Sequence, residues 1–598
     1  QVRDSRELQR LKSDAIKNVE IITSPGARYD ATVSSVIRIR TVKKQGEGVS
    51  GSLNSMVWYN GYLGGSEQLS LNYQSEKLNL FGSLWGYTRG HKEATSLIQH
   101  IEGTKNVTVN QYDPLSYRNT MGEVNFGFNY DLNDENSIGA SYDLECEPYA
   151  KGHADGQQEI FNEGQPVDII KQKVLVDDIG GPTHELNAYY VGKVNKLGID
   201  FNGTYLWQKT GRDMLETEEA TVLENREIHT ASRRHNQLLA GKLVLSYPIA
   251  KGQLELGSEV SHTHSSGEYS NAEGIVADAS TDMKENNWAG FLAFSYPLGS
   301  FSMDAGLRFE YVSAKYYSFG KYEEEPSRNY SNWFPNLTLS WNKEPWAASL
   351  AYTCKTKRPS YSSLRNEVQY DNRYMYEGGD PYLRPTIAHD VSLDVMCNWI
   401  SFGVEYLYED NPIIWYVTLY NHQDIAFLRN VNFSSKQTMT AYVIAAPKFD
   451  WYQPTWQVFF QKPFFDAEKY GAPRGLSKPA LGITWNNKFK LSSTWTSWVT
   501  LHANTTSYNA FRRYRSGYFA SMRMVKTFLD EALTVNFYAD DIFRSQKDQW
   551  TMYGDHATLT KDSYNSAREI GVRVVYKFNS GHRKYKGSGA GNAEKSRF

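Results

Sequence analysis

Hydrophobic and polar side chains alternate one for one in much of this chain. From Val124 to Leu132 every second residue is a large apolar one, with Asn, Gly or Asp between. A short turn of Asn, Asp and Glu follows, and the alternation resumes from Ile138 to Leu144. A period of two places every second side chain on the same face of a strand, so this pattern predicts a β-hairpin with one apolar and one polar face.

Two kinds of connection separate the alternating segments. Tight turns such as Pro297-Leu298-Gly299-Ser300 join some neighbouring strands. Long polar stretches join others, and the sequence predicts them to be loops: residues 88–120, 145–183, 209–236, 262–287 and 355–389. A membrane barrel has short turns at one end and long loops at the other, whereas a soluble sandwich usually keeps its loops short. The asymmetry therefore favours a barrel whose apolar face contacts lipid.

Aromatic residues and chain length add detail to this barrel. Tyr and Trp cluster beside expected strand ends, at Trp58-Tyr59, Tyr247 and Trp495 to Trp498, which is typical of a membrane–water interface. Because lipid offers no hydrogen bonds to a free strand edge, the sheet must close. With about 24 residues per strand and loop, the region from Gly48 to Phe578 predicts an all-β, transmembrane antiparallel β-barrel of about 22 strands. A porin of about 18 or 20 strands with longer loops is the alternative.

Composition and charge exclude several other classes of protein. The 598 residues include 42 Tyr, 27 Phe and 15 Trp, which is more ring surface than a typical soluble enzyme needs. No stretch reaches the roughly 18–20 consecutive apolar residues of a transmembrane helix. The formal net charge of −3 leaves no basic excess, so no nucleic-acid partner is expected. Three cysteines allow at most one disulfide.

The sequence lacks the common motifs of enzyme chemistry. No HExxH, GxSxG or P-loop pattern is present, so the protein is predicted not to be an enzyme and to need no cofactor. His262 and His264 share one strand face, where a metal would need a third ligand; solvated histidines are the alternative, and we predict no metal site. The acidic run Glu323-Glu324-Glu325 could attract a cationic ligand or form a hydrated loop tip.

The long connection after Lys355 is rich in Tyr and Arg. Rings beside guanidinium groups suit sugars, peptides or catecholate-type chelates, and they suit packing of the loop on itself equally well. The candidate ligand-binding residues in this stretch are Tyr361, Arg365, Tyr370, Arg373, Tyr374 and Tyr376.

The first 46 residues do not read as barrel strands. Residues 16–30 are Ile-Lys-Asn-Val-Glu-Ile-Ile-Thr-Ser-Pro-Gly-Ala-Arg-Tyr-Asp, and an alternating segment from Ile37 to Thr41 follows. This stretch resembles the final portion of the plug domain of TonB-dependent receptors. Arg28 and Tyr29 could anchor it to carboxylates in the barrel interior, or could only cap a turn. The residues that carry the plug motif are Pro25, Gly26, Ala27, Arg28 and Tyr29.

Further segments agree with this resemblance. Residues 358–364, Arg-Pro-Ser-Tyr-Ser-Ser-Leu, and 378–385, Gly-Gly-Asp-Pro-Tyr-Leu-Arg-Pro, resemble a block of outer-membrane β-barrel proteins within the TonB-dependent receptor superfamily. Residues 574–579 and the basic, Gly-rich residues 584–591 resemble the closing strand and tail of that family. The resemblance implies the C-terminal part of a plug inside the barrel at 1–46, a transmembrane barrel at 47–579 and a periplasmic tail at 580–598.

The resemblance also implies a function and a location. Such a protein lies in the lipid of the bacterial outer membrane, binds a scarce ligand with its extracellular loops, and imports it through a plugged barrel. Residues 1–46 are fewer than half of a complete plug, so we expect the TonB complex as a partner if a full plug is encoded upstream. The alternatives are a passive diffusion pore and a barrel scaffold that works in a complex with a surface lipoprotein.

Overall fold

β-Strands make up nearly all the regular structure of the computed structural model, which describes residues 16–22, 25–33, 36–41, 47–579 and 587–598. In chain order the strands are β1 (Ile16–Ile22), β2 (Val36–Thr41), β3 (Gly48–Tyr59), β4 (Leu63–Gln74), β5 (Leu78–Glu102), β6 (Asn106–Asp131), β7 (Ser137–Asn162), β8 (Gln165–Val194), β9 (Leu197–Ala220), β10 (Arg226–Ile249), β11 (Gly252–Asn271), β12 (Ala279–Leu298), β13 (Phe301–Ser318), β14 (Lys321–Lys343), β15 (Trp346–Lys357), β16 (Val368–Asn372), β17 (Met375–Gly378), β18 (Thr386–Cys397), β19 (Ile400–Asp410), β20 (Ile413–Leu419), β21 (Ala426–Asn432), β22 (Ser435–Ala445), β23 (Tyr452–Phe464), β24 (Ala480–Lys490), β25 (Trp495–Asn504), β26 (Ser507–Asn509), β27 (Arg512–Tyr514), β28 (Gly517–Phe528), β29 (Leu533–Asp540), β30 (Asp548–Tyr553), β31 (Ala557–Asn565) and β32 (Glu569–Phe578). A 3-10 turn lies at Glu468–Tyr470, and a short helix, α1, spans Asn592–Lys595.

Within the described residues, 22 of these strands form one closed antiparallel barrel. Each strand pairs with the next in chain order from β3 to β15, and the wall continues through β18, β19, β22, β23, β24, β25, β28, β29 and β32. β32 then pairs back with β3, from Gly51 opposite Phe578 to Tyr59 opposite Ile570. This closure leaves no free edge in the wall, as lipid requires. The antiparallel barrel of about 22 strands predicted from the sequence is confirmed.

The barrel wall is apolar on the outside and polar on the inside. On β6, Phe126 is 56% exposed on the outer face, whereas Asn129 is 2% exposed on the inner face. The same alternation places Leu243 and Leu256 outside and Asn202 inside. A lipid-facing exterior and a polar interior, here called the lumen, are typical of outer-membrane barrels. The two-residue alternation therefore has the meaning predicted for it.

Short connections and aromatic rings mark one end of the barrel. Residues 75–77, 132–136, 195–196, 250–251, 299–300 and 398–399 are among these tight turns. Exposed rings lie beside or close to such turns: Tyr247, Phe301, Trp346, Trp399 and Trp451. Rings with polar tips favour the membrane–water interface, and short turns are typical of the periplasmic side. We therefore take this end as the periplasmic one.

Several strands run far beyond the bilayer, which corrects the prediction of long polar loops. β8 has 30 residues, whereas about 9–11 residues of a strand cross a membrane. The stretches 88–120, 145–183, 209–236 and 262–287 are mostly strand, with turns at 103–105, 163–164, 221–225 and 272–278. Strands pair through main-chain hydrogen bonds, which do not require an apolar outer face. The strands can therefore continue outside the bilayer, where the alternation of apolar and polar residues has ended.

At the outer ends of β5 to β8 the pattern reverses, and apolar side chains point inward. Ile101, Val109, Ile160 and Ile170 are each at most 2% exposed. They pack against segments that fold over the mouth of the barrel, here called the lid: β16, β17, β20, β21, β26, β27, β30, β31 and residues 465–476. Buried apolar residues of the lid, in which residues 433 and 510–511 beside its strands are included, are Met375, Tyr416, Val417, Leu428, Phe433, Phe465, Phe511, Met552 and Leu559. The extracellular mouth is therefore covered by a hydrophobic core of its own.

Two sets of strands build the lid. The first is a four-stranded sheet in the order β16-β17-β21-β20. The second runs β26-β27-β30-β31 and joins the outer end of β5, where Ala557 lies opposite Ile101. The second set is hydrogen-bonded to the barrel wall, so the lid is continuous with the barrel on one side.

Candidate functional site

A segment at residues 25–33 lies in the lumen against the inner faces of β9 to β11. The guanidinium of Arg28 donates to Asp200 at 2.7 Å and to Glu255 at 3.1 Å. The ammonium of Lys242 donates to the main-chain oxygen of Arg28 at 2.8 Å. Charge-assisted hydrogen bonds of this kind are stronger than neutral ones, so Arg28 holds the segment to the wall.

A second anchor joins this segment to a buried group of charges on the wall. Arg308 is 1% exposed, and its guanidinium lies 3.2 Å from Asp30, 3.4 Å from Glu259 and 2.5 Å from Glu310. The guanidinium of Arg358 donates to the other oxygen of Glu310. Every ion in this group faces an opposite charge, as buried charges require.

The electrostatics of Asp30 follow from these neighbours. Burial by itself favours the neutral acid, but the guanidiniums of Arg308 and Arg358 favour the carboxylate. The main chain and hydroxyl of Thr32 each donate to Asp30 at 2.9 Å and act in the same direction. Together they lower the pKa of Asp30 to about 2, so it is ionised at neutral pH.

The C-terminal segment, residues 587–598, also lies in the lumen. Its main-chain N–H groups donate to inner-face residues of β9 and β11: Ser588 to Asn202 at 2.7 Å, Ala590 to Thr204 at 3.1 Å and Gly591 to Glu259 at 3.1 Å. The ammonium of Lys595 donates to Glu185 at 2.8 Å. The sequence predicted a periplasmic tail over 580–598. Residues 587–598 instead pack inside the barrel, where acidic side chains of the wall form ion pairs with the basic side chains of the segment. Residues 580–586 lie outside the described part of the chain.

The last two residues of this segment fill a pocket beneath the lid. Arg597 forms a two-pronged ion pair with Glu285, and its guanidinium lies 4.2 Å from the ring centre of Tyr361. The ring of Phe598 stacks on Tyr361 at 5.6 Å. A remaining cavity of about 30 Å³ beside Arg597 and Arg328 has room for about one water molecule. This part of the lumen is therefore tightly packed.

Four of the six candidate ligand-binding residues lie together in or beside the hairpin β16–β17. Tyr370 is 1% exposed and its hydroxyl donates to Glu218 at 2.7 Å; Arg373 donates to the same carboxylate at 2.5 Å. The ring of Tyr376 packs at 5.7 Å from Tyr370, and Tyr374 is partly buried against the core of the lid. These side chains are used in packing the lid onto the barrel wall.

The other two candidates lie apart from the hairpin and nearer the lumen. Tyr361 is 2% exposed, and its hydroxyl donates to Glu285 at 3.2 Å. Arg365 is also 2% exposed and lies over Gly267 of β11. The structure thus divides the six residues into two groups, and ligand binding by either group stays a prediction.

The sequence matches the model of a known protein family. That family is described as the outer membrane protein beta-barrel family, and the match covers residues 192–576, which is more than half of the chain. The chain belongs to this family. The family and the outer-membrane location inferred from the sequence are confirmed. No curated relative matches the sequence.

Solved structures agree with this assignment to the outer membrane beta-barrel family. The copper transporter OprC has a TM-score of 0.62 and 11% identity over 91% of this chain and 83% of its own. The FrpB iron transporter from Neisseria meningitidis gives 0.57 and 13% over 94% and 88%. The siderophore receptor PirA from Pseudomonas aeruginosa gives 0.56 and 12% over 94% and 87%. At these identities the likeness shows the fold.

Sequence reasoning missed the wall residues that hold the lumenal segments of this family member. Asp200, Glu255, Arg308 and Glu310 all occupy inward positions of barrel strands. Arg308 lies between two lipid-facing residues, so the alternation alone places its charge in the lumen. A charged residue at an inward position of a membrane strand is the signal that could have found this group.

The two histidines considered as metal ligands form ordinary hydrogen bonds. His262 donates a hydrogen bond from Nδ1 to the amide oxygen of Asn286 at 2.8 Å, and His264 donates one from Nε2 to the carboxylate of Asp282 at 2.6 Å. Among the described residues, no three His, Cys, Asp or Glu side chains are grouped so as to hold a metal ion. In the same part of the chain, no helix has the length and apolar character needed to cross a membrane.

Proposed function

We propose that this barrel is an outer-membrane receptor that binds a scarce ligand with its extracellular loops and imports it, and that it is not an enzyme. The observation that carries the proposal is that parts of the chain bind the lumenal wall and fold over the mouth of a 22-stranded barrel. Barrels of this size are wide enough to need a plug, and here residues 25–33, residues 587–598 and the lid occupy the interior and its mouth. A passive pore would instead require an open aqueous path.

Residues 1–46 are the C-terminal part of the plug in this proposal. Its support is the position of Arg28 and Asp30, which bind carboxylates and a guanidinium of the wall. A segment held by a few ion pairs can be released by a pull that a covalent link or a strand of the barrel would resist. The TonB complex is the partner that would supply the pull, and a surface lipoprotein is a further proposed partner.

Ligand capture belongs in this proposal to the loops that include the Tyr- and Arg-rich connection. Six residues of this connection can contact a ligand only when the lid opens, because most of their surface is buried when it is closed. They are Tyr361, Arg365, Tyr370, Arg373, Tyr374 and Tyr376. Three solved structures similar to this one are described as a siderophore receptor, a copper transporter and an iron transporter. Metal complexes are therefore the first ligands to test.

Growth on limiting nutrients tests the proposal. A strain that lacks the gene is expected to fail on one limiting source among defined iron, copper, vitamin, peptide and glycan media. The intact gene should restore growth only in cells with a working TonB complex, because import depends on moving the plug. Equal restoration in cells without that complex would show a passive pore and refute the proposal.

A further inference from the structure

Two arginines meet on the lumenal wall beneath the lid. Arg234 of β10 lies directly opposite Gly267 of β11 in the strand register. The guanidinium of Arg365, from the connection between β15 and β16, covers Gly267 so closely that an added Cβ would lie 2.6 Å from its Nε atom. Side chains at directly opposite positions of antiparallel strands are neighbours, so the two guanidiniums share one small area of the wall.

This pair lacks the partners that buried guanidiniums normally have. The Nε and Nη1 atoms of Arg365 and the Nε atom of Arg234 are buried and have no hydrogen-bond acceptor. Among the described residues, the carboxylate that lies at the pair is that of Glu367, 3.5 Å from Arg234, and it also accepts a hydrogen bond from Gln369 at 2.8 Å. Two cations therefore face one shared anion.

The pKa of Arg365 agrees with an excess of positive charge at this pair. Burial, followed by the charge of Arg234, lowers the pKa of Arg365 to about 10, although Glu367 acts in the opposite direction. An arginine with a full set of anionic partners would be shifted the other way. A water molecule could satisfy the free N–H groups, but it could not neutralise the excess positive charge.

We propose that Arg234 and Arg365 form a binding site for an oxyanion, such as a sulfate, a phosphate or a carboxylate group. The planar fork of each guanidinium matches two oxygens of such a group, and an anion there would satisfy the free donors and the charge together. The side chain of Arg234 is 35% exposed, so solvent reaches the Arg234 side of the pair. The proposal uses Arg365, which the proposed function assigns to ligand capture, but binding is measured on the purified protein, so its outcome does not depend on import.

Equilibrium dialysis of the purified, full chain against labelled sulfate, phosphate or citrate tests the site. Saturable binding of sulfate or phosphate at about one per chain identifies a site for a free inorganic anion. Saturable binding of citrate alone identifies a site for the carboxylate of an organic molecule. Absence of saturable binding by all three probes overturns the proposal.

Three variants tie the binding to this pair. Arg365→Gln and Arg234→Gln should each weaken binding roughly ten- to a hundredfold, since each removes a charged donor. Gly267→Ala keeps both charges but displaces the guanidinium of Arg365, and it should also weaken binding about tenfold or more. Arg384→Gln, in the same connection but exposed, is the matched control and should bind like the native chain.

Folding is checked separately, so that a misfolded variant is not mistaken for a binding defect. Each variant is run unheated and heated on a denaturing gel, where a folded barrel migrates differently from the unfolded chain. If Arg365→Gln does not fold, Arg234→Gln and Gly267→Ala decide the question. Binding in these variants equal to that of Arg384→Gln would overturn the assignment.

Discussion

Replacement of Phe511 with alanine is expected to cost about 3–5 kcal/mol of the free energy that holds the lid closed. Phe511 is fully buried, and its ring centre lies 4.4 Å from that of Tyr416, 4.9 Å from Phe433 and 5.1 Å from Phe465. Its removal leaves a cavity among rings that belong to separate loops, so the lid loses the contact that joins them.

Hydrogen exchange is the measurement that checks this expectation. In Phe511→Ala, amide protection should fall in β20 and β21 and stay unchanged in membrane strands such as β10, because local opening follows local stability. Phe543→Ala is the matched control, since Phe543 is 64% exposed on a loop of the same end. Equal protection of the lid in both variants would show that the aromatic cluster does not hold it.

Replacement of Arg308 with glutamine should destabilise the barrel by about 3–5 kcal/mol. Asp30, Glu259 and Glu310 would each lose a cation while they remain buried. The penalty comes from uncompensated charge, so it is larger than the loss of one contact. The N-terminal segment should also detach more easily, since Asp30 would keep only the more distant Arg358.

The temperature at which the folded barrel disappears on a denaturing gel measures this effect. Unfolding of such barrels is often irreversible, so the comparison is one of kinetic stability at a fixed heating time. Arg233→Gln is the control: its ion pair with Asp213 is exposed, and its loss should cost less than about 1 kcal/mol. Addition of Asp30→Asn to Arg308→Gln should recover part of the loss. An Arg308→Gln barrel as stable as Arg233→Gln would contradict this account.

The membrane part of the fold was predictable because lipid constrains every second residue. The alternation at 124–132 and 138–144 became the adjoining ends of β6 and β7, with the turn at 132–136 between them. Closure followed from the need to pair every edge, and the strand number followed from the length of the chain. One face of each such strand must be apolar, and that single requirement is visible in the chain.

The extracellular part was not predictable in this way. Val107 and Val109 alternate on β6, but they point inward against the lid, and Asn110 and Gln111, which follow them, are polar on both faces. Once a strand leaves the bilayer, the apolar face is decided by what folds over it. Phe433, Phe465 and Phe511 come from three different loops, so no local pattern shows that they share one core.

The candidate site shows the same limit. The Tyr and Arg content of the connection after Lys355 marked a region of close packing, but not the partners that bury it. Tyr370 and Arg373 meet Glu218, which is more than 150 residues away in the chain. The Nε and Nη1 atoms of Arg365 lack hydrogen-bond acceptors among the described residues because Arg365 lies beside Arg234 and Gly267, and the sequence does not show that these residues are neighbours.

Ionic current through the purified, intact chain in a planar bilayer tests the central claim most directly, namely that segments of the chain obstruct the lumen of a closed barrel in lipid. The lumen is obstructed by residues 25–33, residues 587–598 and the lid. This account therefore predicts no steady current at moderate voltage. A steady, ohmic current of the size expected for an open barrel of 22 strands would contradict it.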